Sequence, residues 1–270
     1  MSGDARPIGI FDSGVGGLTV YRALRARLPQ ESFVYLGDTA RIPYGTRSPE
    51  TVRRYAHEDA AFLLRCGVKL IVIACNTASS LALDSLQNEC PVPVVGVIEP
   101  GAREAAAATR NGRVGVIGTE ATIASAAYPR AIRAIAPTVQ VVAQSCPLFV
   151  PLVEEGWATH PVTATVADEY LAPLRRAAVD TLVLGCTHYP LLTKAIRQAV
   201  GESVTLVDSG ACAAREVAAV LERRSACAPP DARPFTRFCV TDASERFRRV
   251  AALCLGEPVT RLETVRVEFA

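Results

Sequence analysis

Short apolar runs that end in small and polar residues recur along this chain. Residues 70–74 run into Cys75, and residues 181–185 run into Cys186, each before two polar residues. Apolar runs of this length, rich in Ile, Leu and Val, predict strands buried on both faces. Both cysteines are therefore expected at strand carboxyl ends, where open α/β sheets place their ligands.

The same pattern predicts the remaining elements. Further strands are expected at residues 7–11, 33–37, 91–97, 113–119, 139–143, 204–207 and 238–242. Helical spacing is expected over residues 18–28, 48–66, 77–89, 161–178, 209–224 and 244–255. Alternating polarity at residues 259–269 predicts a closing edge strand. This alternation of strand and helix predicts an α/β fold with mainly parallel sheets.

Two stretches of the chain resemble each other, which predicts two similar lobes. Residues 113–119 match residues 7–13 position for position, with Thr119 opposite Ser13, and the two cysteine strands repeat in the same order. The residue pattern changes at Ile98-Glu99-Pro100, and we place the boundary between the two lobes there. The predicted α/β lobes are residues 1–98 with 208–270, and residues 99–207. We expect the active site in the cleft between them.

Composition is that of a soluble globular protein. Of 270 residues 50% are hydrophobic and 21% are charged, and the net charge is +2. No apolar run approaches the ~20 residues of a membrane span, and the amino terminus lacks the apolar region of a secretory signal. We expect a cytoplasmic protein that acts on a small molecule, with no membrane or nucleic-acid partner.

Nine cysteines are many for that compartment. No Cys-x-x-Cys pair occurs, which excludes a zinc ribbon and a thioredoxin-type redox motif. Seven thiols lie mostly in apolar surroundings and are expected to be small buried hydrophobes. These are Cys66, Cys90, Cys146, Cys212, Cys227, Cys239 and Cys254.

The paired cysteines suggest acid–base chemistry. Two thiols on facing lobes can flank one carbon, one removing a proton while the other delivers a proton to the opposite face, with no metal or pyridoxal cofactor. A helix amino end is expected to lower their pKa from ~8.5. Asp12 and His188 are candidates to manage their proton state. The alternative is that the thiols and His188 are packing residues.

Other candidates remain open from the residues alone. The glycine-rich turn at 12–17 suits a carboxylate but is neither a Walker loop nor a dinucleotide fingerprint, and Asp12 is equally well a helix cap. The sequence Pro43-Tyr44-Gly45 is typical of a turn. Glu154 or Glu155 ends an apolar segment, a position typical of a surface acid at the end of a helix. The polar groups that could hold carboxylates and an amino group are Ser13, Asn76, Thr77 and Thr187.

Five motifs together resemble the bacterial glutamate racemases of the aspartate/glutamate racemase superfamily. They lie at residues 12–17, 37–45, 74–78, 96–100 and 185–190. The resemblance implies a cofactor-independent racemase in which Cys75 removes the α-proton of D-glutamate and Cys186 that of L-glutamate. It also implies that Asp12 assists Cys75, whereas Glu154 and His188 assist Cys186.

The resemblance further implies the substrate site, the product's use and the assembly. The substrate-binding residues would be Asp12, Ser13, Pro43, Tyr44, Gly45, Asn76, Thr77, Thr119, Thr187 and His188. The D-glutamate made by that family enters peptidoglycan, and its members are commonly homodimers. Two alternatives stay open: a racemase for aspartate or another acidic amino acid, and a non-catalytic regulator that binds acidic amino acids. Retention of both thiols disfavours the regulator.

Overall fold

Two parallel β-sheets, each covered by helices, make up the part of the chain that the computed structural model describes, residues 3–267. The strands are β1 (Ile8–Asp12), β2 (Phe33–Gly37), β3 (Leu70–Ile73), β4 (Val94–Gly96), β5 (Arg113–Gly118), β6 (Gln140–Ser145), β7 (Thr181–Gly185), β8 (Thr205–Asp208), β9 (Thr236–Val240) and β10 (Glu263–Thr264). The first sheet has the order β10-β9-β2-β1-β3-β4, and the second has the order β6-β5-β7-β8.

Every strand pairing within residues 3–267 is parallel, so the predicted fold class is confirmed. The strands β1, β2, β3 and β7 are buried along their whole length, as their continuous apolar runs predict. In the first sheet β1 lies between β2 and β3, with Phe11 opposite Ile73. The strand ends that carry Asp12 and Cys75 are therefore neighbours.

Helices follow the strands in alternation. They are α1 (Leu18–Arg27), α2 (Pro49–Arg65), α3 (Asn76–Glu89), α4 (Ile98–Ala108), α5 (Glu120–Ala124), α6 (Ala127–Ile135), α7 (Phe149–Glu154), α8 (Pro161–Arg176), α9 (Thr193–Val200), α10 (Ser209–Arg223) and α11 (Glu245–Leu255). Short 3-10 turns occupy Thr39–Arg41, Tyr44–Thr46 and Tyr189–Leu192. Among residues 3–267, no helix has both the length and the apolar character needed to span a membrane.

Local sequence explains where α2 starts and stops. The Ser48 side chain accepts a hydrogen bond from the Thr51 amide, and Pro49 occupies the first helical position, where its missing N–H costs nothing. The helix stops before Gly67, whose φ of +72° is a left-handed conformation that glycine adopts without strain.

Four apolar clusters flank the two sheets. Helices α1, α10 and α11 pack on one face of the first sheet, and α2 and α3 pack on the other. Helices α7, α8 and α9 cover one face of the second sheet, while α4 and α6 cover its other face. Helix α10 also packs against α4, which joins the helical layers of the two sheets. The lobe boundaries at 98/99 and 207/208 stay a prediction.

The structure differs from the sequence-based elements in several places, two of which have a clear local cause. The edge strand expected over 259–269 is reduced to Glu263–Thr264, because only this part pairs with β9; residues 268 and 269 lie outside the described range. Helix α4 begins at Ile98, where no helix was predicted; Pro100 is tolerated in its first turn because an N–H at that position would have no partner within the helix.

Candidate active site

A cavity of about 480 Å³ opens at the carboxyl ends of the two sheets. Most of the predicted site residues line it: Ser13, Pro43, Tyr44, Gly45, Cys75, Asn76, Thr77, Thr119, Glu154, Cys186, Thr187 and His188. Asp12 does not line the cavity; it lies buried behind the wall, 1% exposed. Both candidate thiols therefore face one cavity, each from a different sheet.

Cys75 lies between β3 and α3 and caps that helix. Its Sγ accepts a hydrogen bond from the Ala78 amide at 3.4 Å and donates one to Ser13 Oγ at 3.6 Å. Burial, together with the nearby Asp12 carboxyl, outweighs these donors and raises the pKa of Cys75 to about 12. The expectation of a lowered pKa at this helix end is wrong for Cys75, because desolvation of the thiolate is the larger effect.

Asp12 ends β1 directly beneath the glycine-rich turn. Its Oδ2 accepts a hydrogen bond from the Gly14 amide at 3.0 Å, while Oδ1 has no hydrogen-bond partner among the described residues. A Cβ on Gly17 would lie 2.4 Å from the Asp12 Cβ, so only glycine lets the turn close over this carboxyl group. Burial raises the pKa of Asp12, with amide donors and the His188 charge opposing it.

Cys186 has different neighbours from Cys75. Its Sγ lies 3.9 Å from His188 Nδ1, and His188 Nε2 lies 3.2 Å from Glu154 Oε1. Burial lowers the pKa of His188, but its interactions with Cys186 and Glu154 outweigh burial and raise that pKa to about 10. Burial likewise opposes ionisation of Glu154, yet His188 and Arg246 hold its pKa below the usual value. Glu154 thus lines the cavity beside His188, whereas Glu155 is half-exposed and does not line it.

Two polar junctions join the sheets beneath the cavity. Thr19 of α1 donates a hydrogen bond to the Thr187 carbonyl at 2.9 Å, and a Cβ on Gly16 would lie 2.2 Å from Thr187 Oγ1. On the other side Thr77 and Thr119 share a hydrogen bond at 2.9 Å. The Cys186 loop is therefore held by α1, which follows β1 of the first sheet. The Cys75 segment is held by the Thr119 loop, which follows β5 of the second sheet.

The Asn76 side chain is occupied by protein partners. Its Oδ1 accepts a hydrogen bond from the Tyr128 hydroxyl at 2.7 Å, and its Nδ2 donates to Ser209 Oγ at 3.4 Å. These contacts tie α3 to α6 and α10. Both polar atoms of the Asn76 amide group are therefore committed to protein partners.

The loop around Pro43-Tyr44-Gly45 is more than a turn, because a buried polar cluster fixes it. The Tyr44 hydroxyl donates hydrogen bonds to Asp38 and Asp59, and Arg41 pairs with the same two carboxylates. Both carboxylates are fully buried. The Tyr44 hydroxyl is thereby committed to the cluster.

The sequence patterns did not predict that α11 contributes to the cavity wall. Arg246, Phe247 and Val250 line the cavity together with Val150 and Pro151 of α7. The sequence did contain an indication of this contribution, because the predicted strand at 238–242 precedes an amphipathic helix, as in the two cysteine segments. In a parallel sheet this strand ends at the same edge as the strand before Cys75. Within residues 3–267, no group of three or more His, Cys, Asp or Glu side chains is placed to hold a metal ion.

Comparison with known proteins supplies independent findings. A family model described as Asp/Glu/Hydantoin racemase matches residues 10–217. A protein of Geobacter metallireducens named glutamate racemase is 54% identical, over 97% of each chain.

Two solved structures are similar over nearly the full length. One is glutamate racemase from Thermus thermophilus in complex with β-chloro-D-alanine, with a TM-score of 0.88 and 49% identity over 98% of each chain. The other is glutamate racemase from Francisella tularensis in complex with D-glutamate, with a TM-score of 0.92 and 39% identity, over 98% of this chain and 99% of that one.

Proposed function

Because this chain belongs to the Asp/Glu/Hydantoin racemase family, we propose that it is a glutamate racemase that interconverts L- and D-glutamate. The observation that carries the proposal is the pair of thiols in one cavity: Cys75 and Cys186 follow inner strands of different sheets. Relatives at 45–54% identity over nearly the full length bear the name glutamate racemase, which favours glutamate over aspartate.

We infer a two-base mechanism. Starting from L-glutamate, the Cys186 thiolate removes the α-proton, and the electron pair left on Cα is delocalised into the α-carboxylate. The Cys75 thiol then delivers its proton to the opposite face of Cα, which gives D-glutamate and a Cys75 thiolate. From D-glutamate the same two steps run in reverse order. The proposal requires no cofactor, since protons are the only groups that move.

The different surroundings of the two thiols support these separate roles of Cys186 and Cys75. His188 lies between Cys186 and Glu154, and its raised pKa makes it a charged donor beside the Cys186 sulfur throughout the proton transfer. Cys75 lies in a buried setting beside Asp12 that favours its protonated thiol. For D-glutamate, Asp12 is the buried group placed to take the proton from Cys75.

Substrate carboxylates would be held by donors around the cavity. Ser13, Gly45, Thr77, Thr119 and Thr187 line it, and their hydroxyl or main-chain groups would supply these donors. Other lining residues that we assign to binding are Pro43, Tyr44, Asn76 and His188, with Asp12 behind the wall.

Enantiomer conversion tests the proposal. Reduced enzyme is incubated separately with L-glutamate, D-glutamate and L-aspartate, and the products are resolved by chiral chromatography. Both glutamate enantiomers should converge on an equal mixture, with aspartate converted far more slowly. Faster conversion of aspartate would overturn the glutamate assignment, and binding of glutamate without conversion would favour a non-catalytic regulator.

Serine variants test the thiols. Cys75→Ser and Cys186→Ser should each lose most racemisation, because a serine hydroxyl is a far weaker acid than a thiol. Cys90→Ser is the matched control, since Cys90 caps the carboxyl end of the helix that Cys75 begins and lies outside the cavity. If either of the first two variants kept the activity of the control, the assignment of that thiol would be wrong.

In the cell, we propose that the product supplies D-glutamate for peptidoglycan. The mechanism requires both thiols to be reduced, which fits the cytoplasm. Cells depleted of the protein should lose wall integrity and recover it when D-glutamate is supplied. Failure of D-glutamate to restore growth would contradict this role.

A further inference from the structure

Helix α11 packs on the first sheet but reaches the acid–base group of the second. Phe247 and Val250 anchor the helix in the apolar cluster of the first sheet. From its second position Arg246 extends to α7, with Nη2 at 3.0 Å from Glu154 Oε2 and 3.1 Å from Glu155 Oε1. The Arg246 side chain is half-exposed and lines the cavity.

The two oxygens of Glu154 have separate partners. Oε1 faces His188 Nε2 at 3.2 Å, while Oε2 accepts from Arg246. Glu154 is the last residue of a six-residue helix, so its side chain has few other restraints. With Arg246 fixing one oxygen, the other is aimed at His188, and through His188 at Cys186.

We propose that Arg246 is a positioning residue for the Cys186 half of the reaction. It holds the Glu154 carboxylate in the orientation that supports the His188 imidazolium, and it does so from the opposite sheet. The first sheet therefore supplies the outer member of a chain of groups, Arg246, Glu154 and His188, that serves the thiol of the second sheet. The inference rests on the proposed racemase function.

The natural rival is a simple latch. Arg246 also contacts Glu155, so it could act only by holding α7 and α11 together across the mouth of the cavity. A latch would affect both halves of the reaction alike. A positioning residue for Glu154 would instead slow proton transfer at Cys186 and leave proton transfer at Cys75 as it is.

Directional rates cannot separate these two roles. L- and D-glutamate have equal energies in solution, so kcat/KM must be the same in both directions for every variant. Primary deuterium isotope effects can separate them, because each enantiomer loses its α-deuteron to a different thiol. If transfer at Cys186 becomes slower, it limits the rate more, and transfer at Cys75 limits it less.

The experiment compares Arg246→Gln with the unsubstituted enzyme, using α-deuterated L- and D-glutamate. We expect kcat/KM to fall about threefold to tenfold in both directions, as for loss of a partly exposed charged hydrogen bond. The isotope effect should rise with α-deuterated L-glutamate and fall with the D-enantiomer. Arg246→Lys should recover part of the rate and move both isotope effects back.

Two further variants serve as controls. Arg248→Gln removes a charge from the same helix; within residues 3–267 this charge pairs only with Glu245, at 3.8 Å, and its loss should leave rates and isotope effects unchanged. Glu155→Gln removes the second contact of Arg246 but spares Glu154. It should leave both isotope effects unchanged as well.

The outcomes separate this inference from the function on which it rests. An unsubstituted enzyme without racemase activity would overturn both. An active enzyme whose Arg246→Gln variant keeps both isotope effects, whatever its rate, would overturn only the role of Arg246. So would a Glu155→Gln variant that reproduces the full effect of Arg246→Gln.

Discussion

Two chemically identical thiols acquire different properties from the side chains beside them. Cys75 has a buried carboxyl group, Asp12, and a hydroxyl, Ser13, as neighbours. Cys186 has an imidazole that is itself paired with a carboxylate. This asymmetry supports the proposed two-base reaction, which requires one residue to act as a base while the other acts as an acid.

The titration of His188 predicts a pH-dependent stability. Its pKa is raised from 6.5 to about 10, so the imidazolium stabilises the folded protein fully below pH 6.5, and this contribution is lost as the pH rises through 10. We expect the difference in free energy of unfolding between the unsubstituted protein and His188→Asn to shrink over that range. Urea unfolding at several pH values measures it, and a constant difference would contradict the ion pair.

Gly16 allows the glycine-rich turn of the first sheet to lie close to the Cys186 loop of the second sheet. A Cβ on Gly16 would lie 2.2 Å from Thr187 Oγ1 and 2.5 Å from His188 Nδ1. Gly16→Ala should therefore shift the Cys186 loop and lower kcat/KM more than about tenfold, since small misplacements are costly in catalysis. Steady-state kinetics on a variant shown to be folded by circular dichroism would test this. Full activity would mean that the loop yields without consequence.

At the scale of elements, strands and helices were largely predictable from the sequence. Continuous apolar runs such as Leu70–Ile73 predict strands because a central parallel strand is buried on both faces. Helix α4 escaped prediction because its proline at the third position is typical of a loop. The role of α11 could not be predicted because it depends on β9 pairing with β2, a contact between residues 203 positions apart in the chain.

The loop of residues 42–46 shows how a polar cluster can fix one wall of the cavity. Tyr44→Phe removes the hydroxyl shared by two buried carboxylates and should lower the free energy of unfolding by about 1–3 kcal/mol. It should also raise KM, because the loop lines the cavity. Urea unfolding and initial rates measure the two effects.

Tyr55→Phe is the control for that variant. The Tyr55 ring packs against the Tyr44 ring, yet its hydroxyl makes no hydrogen bond within residues 3–267. We expect little change in unfolding free energy or KM. Equal effects of the two substitutions would show that ring packing, and not the buried hydroxyl, holds the loop.

At the scale of the whole molecule, the repeated pattern of a strand followed by a cysteine predicted two sheets that share one cavity. The polar contacts that join the sheets, such as those of Thr19 with Thr187 and of Asn76 with Tyr128, were not predictable, because hydroxyl and amide side chains carry no periodic signal of their partners. The lobe boundaries and a homodimer remain predictions.

A buried ion pair ties distant segments to the first sheet. Lys69 Nζ pairs with Glu31 at 2.6 Å and donates hydrogen bonds to the carbonyls of Asp4 and Ala226. Lys69→Met should lower the free energy of unfolding by about 3–5 kcal/mol, because it leaves a buried carboxylate without its cation. Thermal and urea unfolding measure the loss, and kcat/KM below the transition should be retained.

A second substitution tests the cause of that loss. Adding Glu31→Gln to Lys69→Met removes the unpaired charge and should recover part of the stability. An additive loss in the double variant would show that packing of the Lys69 chain matters more than its charge.

The central claim is proton exchange at Cα by two thiols. We would incubate reduced enzyme with L-glutamate in D2O and analyse the D-glutamate formed by chiral chromatography and mass spectrometry. The account predicts that nearly every D-glutamate molecule carries one deuterium at Cα, delivered by Cys75 after exchange with solvent. D-Glutamate that retains the original α-proton, or no D-glutamate from folded and reduced protein, would contradict it.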